Sequence, residues 1–125
     1  MMRLRTPQTW RTTLAEWQEV GDRIYRRRYQ SLDLNVGLIL SDEGAIVIDS
    51  RAHHGQADEL LSDIASRTRL PIRTLINTHY HWDHTFGNAV FAGVPIWGHT
   101  RSAEALRTPE SLGIGGLSAA ELAGL

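Results

Sequence analysis

Four side chains able to give a lone pair to a metal ion, His79, His81, Asp83 and His84, fall within the stretch INTHYHWDHTFGN that runs from Ile76 to Asn88. Neutral imidazole and carboxylate are good ligands for zinc and also suit iron or manganese. The chain has no cysteine, so any transition-metal site must be built from these two ligand types. In extended backbone, residues i and i+2 project to one face, so the rings of His79 and His81 can reach one ion. The chain then turns at Asp83 and His84, whose side chains can face a second ion or a bound water. From composition alone a His-x-His-x-Asp-His string arises by chance in roughly one chain in a thousand. Its position at a strand-to-helix turn also suits a ligand loop.

The flanking elements must hold those donors. The clearest are two β-rich runs, Asn35–Leu40 and Ala45–Asp49, around a hairpin-type turn at Ser41-Asp42-Glu43-Gly44. Apolar residues then recur with helical spacing at Ala57, Leu60, Leu61 and Ile64, opposite Asp58, Glu59, Asp63 and Arg67. Pro71 ends this helix and introduces the strand IRTLIN. After the histidines, HTFGNAVFAG reads as a short helix closed by Gly93, VPIW as a short strand, and RSAEALR as a further helical turn or two. Upstream, RIYRRRYQS alternates weakly and reads as a first strand. Thr12 or Thr13 is placed to cap a short helix over LAEWQEV.

Strands alternating with helices imply parallel pairing. The runs AIVID, TLIN and VPIW are nearly continuous in apolar residues, as expected of strands covered on both faces. On this layout all six histidines, His53, His54, His79, His81, His84 and His99, follow the carboxyl ends of parallel strands. Ligands of open α/β sheets bind beyond that edge.

Bulk properties narrow the function classes. The chain of 125 residues is one domain by length, with 42% hydrophobic and 22% charged residues and a formal net charge of −1. That balance argues against bulk nucleic-acid binding and against a membrane-surface role. The longest apolar run is too short to span a bilayer, and the N-terminal residues lack the apolar core of a secretory signal, so the expected location is cytoplasmic.

Several residues near the motif have second roles to weigh. Asp49 is placed to tie its strand end to the ligand loop by hydrogen bonds, or to serve as a simple turn aspartate. Trp82 is expected to pack behind the ligands, and His53 and His54 to be exposed loop residues. Arg26, Arg27 and Arg28 divide between two strand faces, which suits a solvated edge better than an anion site. Trp10, Trp17 and Trp97 read as packing residues. In the tail, Ser118 and Glu121 form a capping-box pattern.

The string THYHWDH after an apolar strand resembles the signature of the metallo-β-lactamase-fold hydrolase superfamily. The upstream NVGLILSDEGAIVIDS is similar to that superfamily's first hairpin, with Asp49 at the place of its strand-ending aspartate. The resemblance covers about residues 20–106. It implies an α/β fold, the αββα sandwich of two similar halves, of which this chain carries the N-terminal half: a mixed sheet with a β-hairpin and then βαβ units. Residues 1–20 are then a lead-in, 21–108 that half-domain, and 109–125 an irregular truncated tail. The resemblance further implies that His79 and His81 hold a first metal and Asp83 and His84 a second, with zinc the expected ion and iron or manganese alternatives. A metal-bound hydroxide would attack an ester, thioester, amide or phosphoester, and Asp83 would orient it and take its proton.

Relatives add ligands from a C-terminal half: a second-motif histidine, a bridging aspartate and a last histidine. Here only His99 follows His84 among histidines, and no aspartate follows Asp83. His99, at a position where many relatives carry a non-ligand histidine, is a pocket candidate. Two readings follow: a metal-dependent hydrolase, or a truncated non-catalytic protein with a partial or empty metal site. Half a sandwich also leaves an apolar sheet face open, so self-association is expected to cover it.

Overall fold

The computed structural model describes residues 16–107. The capping pairs at Thr12–Thr13 and Ser118–Glu121, Trp10 and the tail 109–125 lie outside the described residues.

Six strands form one mixed sheet whose spatial order follows the chain: β1 (Gln18–Gly21), β2 (Ile24–Tyr29), β3 (Leu34–Leu40), β4 (Ala45–Ile48), β5 (Ile72–Ile76) and β6 (Ile96–Trp97). The first four pair antiparallel, and β4, β5 and β6 pair parallel. Between β4 and β5 runs α1 (His54–Arg67); α2 (Trp82–Thr85) and α3 (Thr100–Leu106) follow β5 and β6. The expected mixed sheet, with a hairpin leading into βαβ units, is thus present.

The β3–β4 hairpin turns at Ser41, whose hydroxyl donates to the Gly44 carbonyl at 2.9 Å and accepts from the amides of Glu43 and Gly44. Its tip therefore leaves few polar groups unmatched. One face of the sheet carries Tyr25, Tyr29, Leu34, Val36, Leu38, Val47 and Leu75, all buried against Ala57, Leu60 and Ile64 of α1 and against Phe91. Burying a leucine such as Leu38 or Leu60 contributes roughly 1.5–3 kcal/mol. Polar ties reinforce this layer. Asp63 on α1 accepts the Tyr29 hydroxyl at 2.6 Å, lies 3.3 Å from Arg27, and offers its carbonyl to the Trp17 indole at 2.9 Å. The Arg51 guanidinium, itself buried, stacks 3.5 Å over the Tyr29 ring.

Three expectations need correction. Gln18, Glu19 and Val20 are strand, not helix, because the hairpin partner β2 supplies a backbone ladder that the weak local helix pattern cannot outcompete. The helix expected over HTFGNAVFAG breaks into α2 and a separate 3₁₀ turn at Asn88–Val90, because the backbone between them drops onto residues 50–51: the Gly87 amide donates to the Arg51 carbonyl at 3.0 Å. Finally, β4 and β5 are covered by described residues on one face only, and β6 on neither, with Ile96 46% exposed. On the other face of the sheet, Ile24 faces Ile39, which faces Ile46, and a second row runs Ile48, Ile76, Trp97. Ile24 is 42% exposed and Trp97 65% exposed.

Candidate metal site

The site grows from the ends of two adjacent parallel strands. After β4 the chain turns sharply, with Asp49 and Arg51 both at φ 71°, a left-handed conformation that is costly for residues with a Cβ. The turn aims the Asp49 carboxylate at the loop leaving β5. That carboxylate is almost wholly buried, yet every contact satisfies it: one oxygen accepts the Thr78 amide at 2.8 Å, and the other accepts the Thr78 hydroxyl at 2.8 Å and faces His84 Nδ1 at 2.8 Å. Asp49 is therefore more than a turn residue. It joins the first residue after β5 to the helical turn that carries His84.

These contacts fix the histidine tautomers. A carboxylate accepts, so His84 presents Nδ1–H to Asp49, and its neutral ring then has the Nε2 lone pair free. Thr78 spends its single hydroxyl proton on Asp49, so toward His79 Nδ1, 2.8 Å away, it can only accept. His79 is thereby also protonated on Nδ1 with Nε2 bare. Burial, and then the neighbouring imidazoles of His84 and His81, push the His79 pKa below the ordinary histidine value. A neutral ring with a free Nε2 is the form a metal requires.

Ligand atoms of His79, Asp83 and His84 all lie within 4.8 Å of one another, a separation one ion can bridge. His84 Nε2 stands 3.6 Å from an Asp83 oxygen. His81 is exposed and outside this group, although its ring meets the His79 ring edge-on at 4.7 Å between centroids. Trp82 opens α2, half-buried.

The other histidines do follow the carboxyl ends of β4 and β6, but His53 and His99 serve as helix caps and His54 is the exposed first residue of α1. His53 Nδ1 accepts from the Gln56 amide at the start of α1, and His99 Nδ1 accepts from the Arg101 amide at the start of α3. Sequence reasoning passed over Thr78. The one signal for it in the sequence is a hydroxyl residue between a strand end and the first histidine.

The family model described as the metallo-beta-lactamase superfamily matches residues 32–120, well over half of the chain. The chain belongs to the metallo-beta-lactamase superfamily. Solved metallo-beta-lactamases share its fold. The enzyme from Pontibacter korlensis is 20% identical with a TM-score of 0.62, over 76% of this chain and 48% of its own. That from Erythrobacter litoralis, with beta mercaptoethanol in its active site, is 19% identical with a TM-score of 0.61, over 76% and 45%. FIM-1 from Pseudomonas aeruginosa, in a mono-zinc form, is 14% identical with a TM-score of 0.61, over 75% and 46%. No curated protein matches. The chain spans a little under half the length of these structures, so it corresponds to part of a metallo-beta-lactamase domain. Among the described residues no helix is long and apolar enough to cross a membrane.

Proposed function

We propose that this superfamily member carries the first part of the metal site of a metal-dependent hydrolase acting on a small-molecule ester, thioester, amide or phosphoester. The observation that carries the reading is the convergence of His79, Asp83 and His84 within 4.8 Å, with Nδ1 of both rings engaged behind them. The donor set suits the group: borderline nitrogens and a hard oxygen match zinc, and equally accept iron or manganese. Zinc is favoured because a relative of the same fold is a mono-zinc form. His81, beside His79, is the fourth donor of this proposal.

A divalent ion here supplies an acidified water and a Lewis acid for the scissile carbonyl or phosphoryl group. The protein's own residues do the rest. Asp83 takes a proton from the attacking water, Asp49 and Thr78 hold the two half-buried rings in their ligating tautomers, and Trp82 closes the back of the loop. In catalytic zinc sites three protein ligands usually leave one position for water, a number that His79, Asp83 and His84 can meet alone.

The test is metal-dependent turnover of a panel of activated esters, thioesters and phosphodiesters by the zinc-loaded chain. Asp83→Ala is expected to lower turnover by roughly 10²–10⁴, the usual contribution of a positioned acid or base. Folded, zinc-loaded wild type without turnover on any of them would place this chain among non-catalytic metal binders.

A further inference from the structure

Ten residues after β5 hold all four candidate ligands, and they include little regular structure beyond the four residues of α2. Something outside that stretch must order it. At its base stand two asparagines eleven positions apart, Asn77 and Asn88, paired through both amide groups: Asn88 Nδ2 donates to Asn77 Oδ1 at 2.8 Å, and Asn77 Nδ2 donates to Asn88 Oδ1 at 3.1 Å. The Ser50 hydroxyl, fully buried, donates to the same Asn88 Oδ1 at 2.6 Å. Asn77 is also buried, and its backbone amide extends the β5–β6 ladder to the Trp97 carbonyl at 2.8 Å.

Resting on the metal-site reading above, we propose that Asn88, with Asn77 and Ser50, is a positioning residue for the metal-ligand loop: the reciprocal amide pair closes the loop at its base and sets the separation of His79, Asp83 and His84. Each part follows from geometry. A two-bond amide pair fixes both distance and twist between its partners, as a single bond would not. Ser50 contributes from the β4 side, where its backbone amide also donates to the His84 carbonyl at 2.9 Å. The three residues therefore join the ends of β4 and β5 to the turn that follows α2. The arrangement does not touch the ligand side chains, so its removal leaves the donors in place and changes only how well they are held. Outer partners that orient ligands typically alter metal affinity 10–100-fold when lost.

The experiment compares wild type with Asn88→Ala, Asn88→Asp, Ser50→Ala, Asn77→Ala and the Asn77→Ala/Asn88→Ala double variant. Two readouts are taken: amide hydrogen exchange in metal-free protein, and zinc affinity by competition with a chromophoric chelator. In Asn88→Ala, amides of residues 78–87 are expected to exchange at least about 10-fold faster while α1 and the β2–β3 ladder keep wild-type protection. Zinc affinity falls about 10–100-fold. The double variant binds zinc about as weakly as either asparagine variant alone, because the pair acts as one unit. Asn88→Asp, which keeps the shape but sets an oxygen against Asn77 Oδ1, falls between wild type and Asn88→Ala. Ser50→Ala gives the smallest loss and covers the case in which an asparagine variant fails to fold.

Unchanged loop exchange overturns the proposal, as does acceleration spread evenly through α1 and the sheet, since that would mark a purely structural role. Selective loosening with wild-type zinc affinity overturns it too. Wild type that binds no zinc removes the metal-site reading itself, a result seen before any variant is compared.

Discussion

His84 Nδ1 and the Asp49 carboxylate, thirty-five positions apart in the chain, meet at 2.8 Å in a pocket where Asp49 is 2% exposed. That contact places the histidine by way of a neighbouring strand rather than its own short helix. Asp49→Ala strands the Thr78 amide, the Thr78 hydroxyl and His84 Nδ1–H without their acceptor. Thr78 is exposed and water can take over its two bonds, so the cost falls on the half-buried His84 Nδ1–H, about 1 kcal/mol. The expected outcome is a loss of that size in urea unfolding, together with a 10–100-fold fall in zinc affinity. Wild-type zinc affinity in this variant would mean that His84 needs no partner behind it.

Gly87 lies where the ligand loop presses on the β4 turn. A Cβ there would sit 2.0 Å from the Ser50 carbonyl oxygen and 2.8 Å from the Ala57 Cβ, and a backbone oxygen has no room to yield. Gly87→Ala should therefore destabilise by about 1–3 kcal/mol or more, the usual cost of overpacking. Gly55→Ala is the control. Its Cβ meets only the His53 ring, at 3.3 Å, and lies in α1, where alanine is the better helix former. Equal urea midpoints for the two variants would contradict the close approach.

Much of this frame was legible in the sequence. The hairpin, α1 and β5 each combine the correct apolar period with clear stop signals, and the histidine string follows a strand end. Less visible was what depends on distant partners. Gln18 and Glu19 are polar and become strand only through pairing with β2. The break after α2 is set by contact with Ser50 and Arg51, far away in sequence. The dual role of Thr78, donating to Asp49 and accepting from His79, is a matter of 2.8 Å contacts that no spacing rule encodes. Nor did alternation reveal that the apolar strands β4 and β5 would be covered by described residues on one side alone, since a strand destined for two layers reads the same with one.

Tyr29 gives the protein an alkaline limit. Burial first, then the hydrogen bond and charge of Asp63, raise its pKa above the ordinary tyrosine value of about 10. Between those two values the unfolded chain has lost the phenol proton and the folded chain has kept it. Stability from this group is thus complete below about pH 10 and declines as pH rises above it, by up to about 1.4 kcal/mol per pH unit. Urea midpoints measured from pH 8 to 11 should fall less steeply in Tyr29→Phe than in wild type. Parallel curves would show that Tyr29 ionises equally in both states.

The sheet face left uncovered among the described residues predicts association. Its rows of isoleucine end in Trp97 and are complementary to a second copy of themselves, being apolar and uncharged at the centre. Sedimentation at high micromolar concentration should show dimers or larger species, and Ile48→Asp should return the chain to monomer by charging the middle of the face. A wild-type monomer across that range would count against this use of the face.

The central claim is that His79, Asp83 and His84, with His81 beside them, hold a metal ion. It is tested most directly by the zinc, iron and manganese content per chain after dialysis against metal-free buffer, with a His79→Ala/His84→Ala variant alongside. Wild type is predicted to keep about one to two ions per chain, most of it zinc, and the variant almost none. A folded wild-type chain that keeps no metal, or a variant that keeps as much as wild type, would contradict the account.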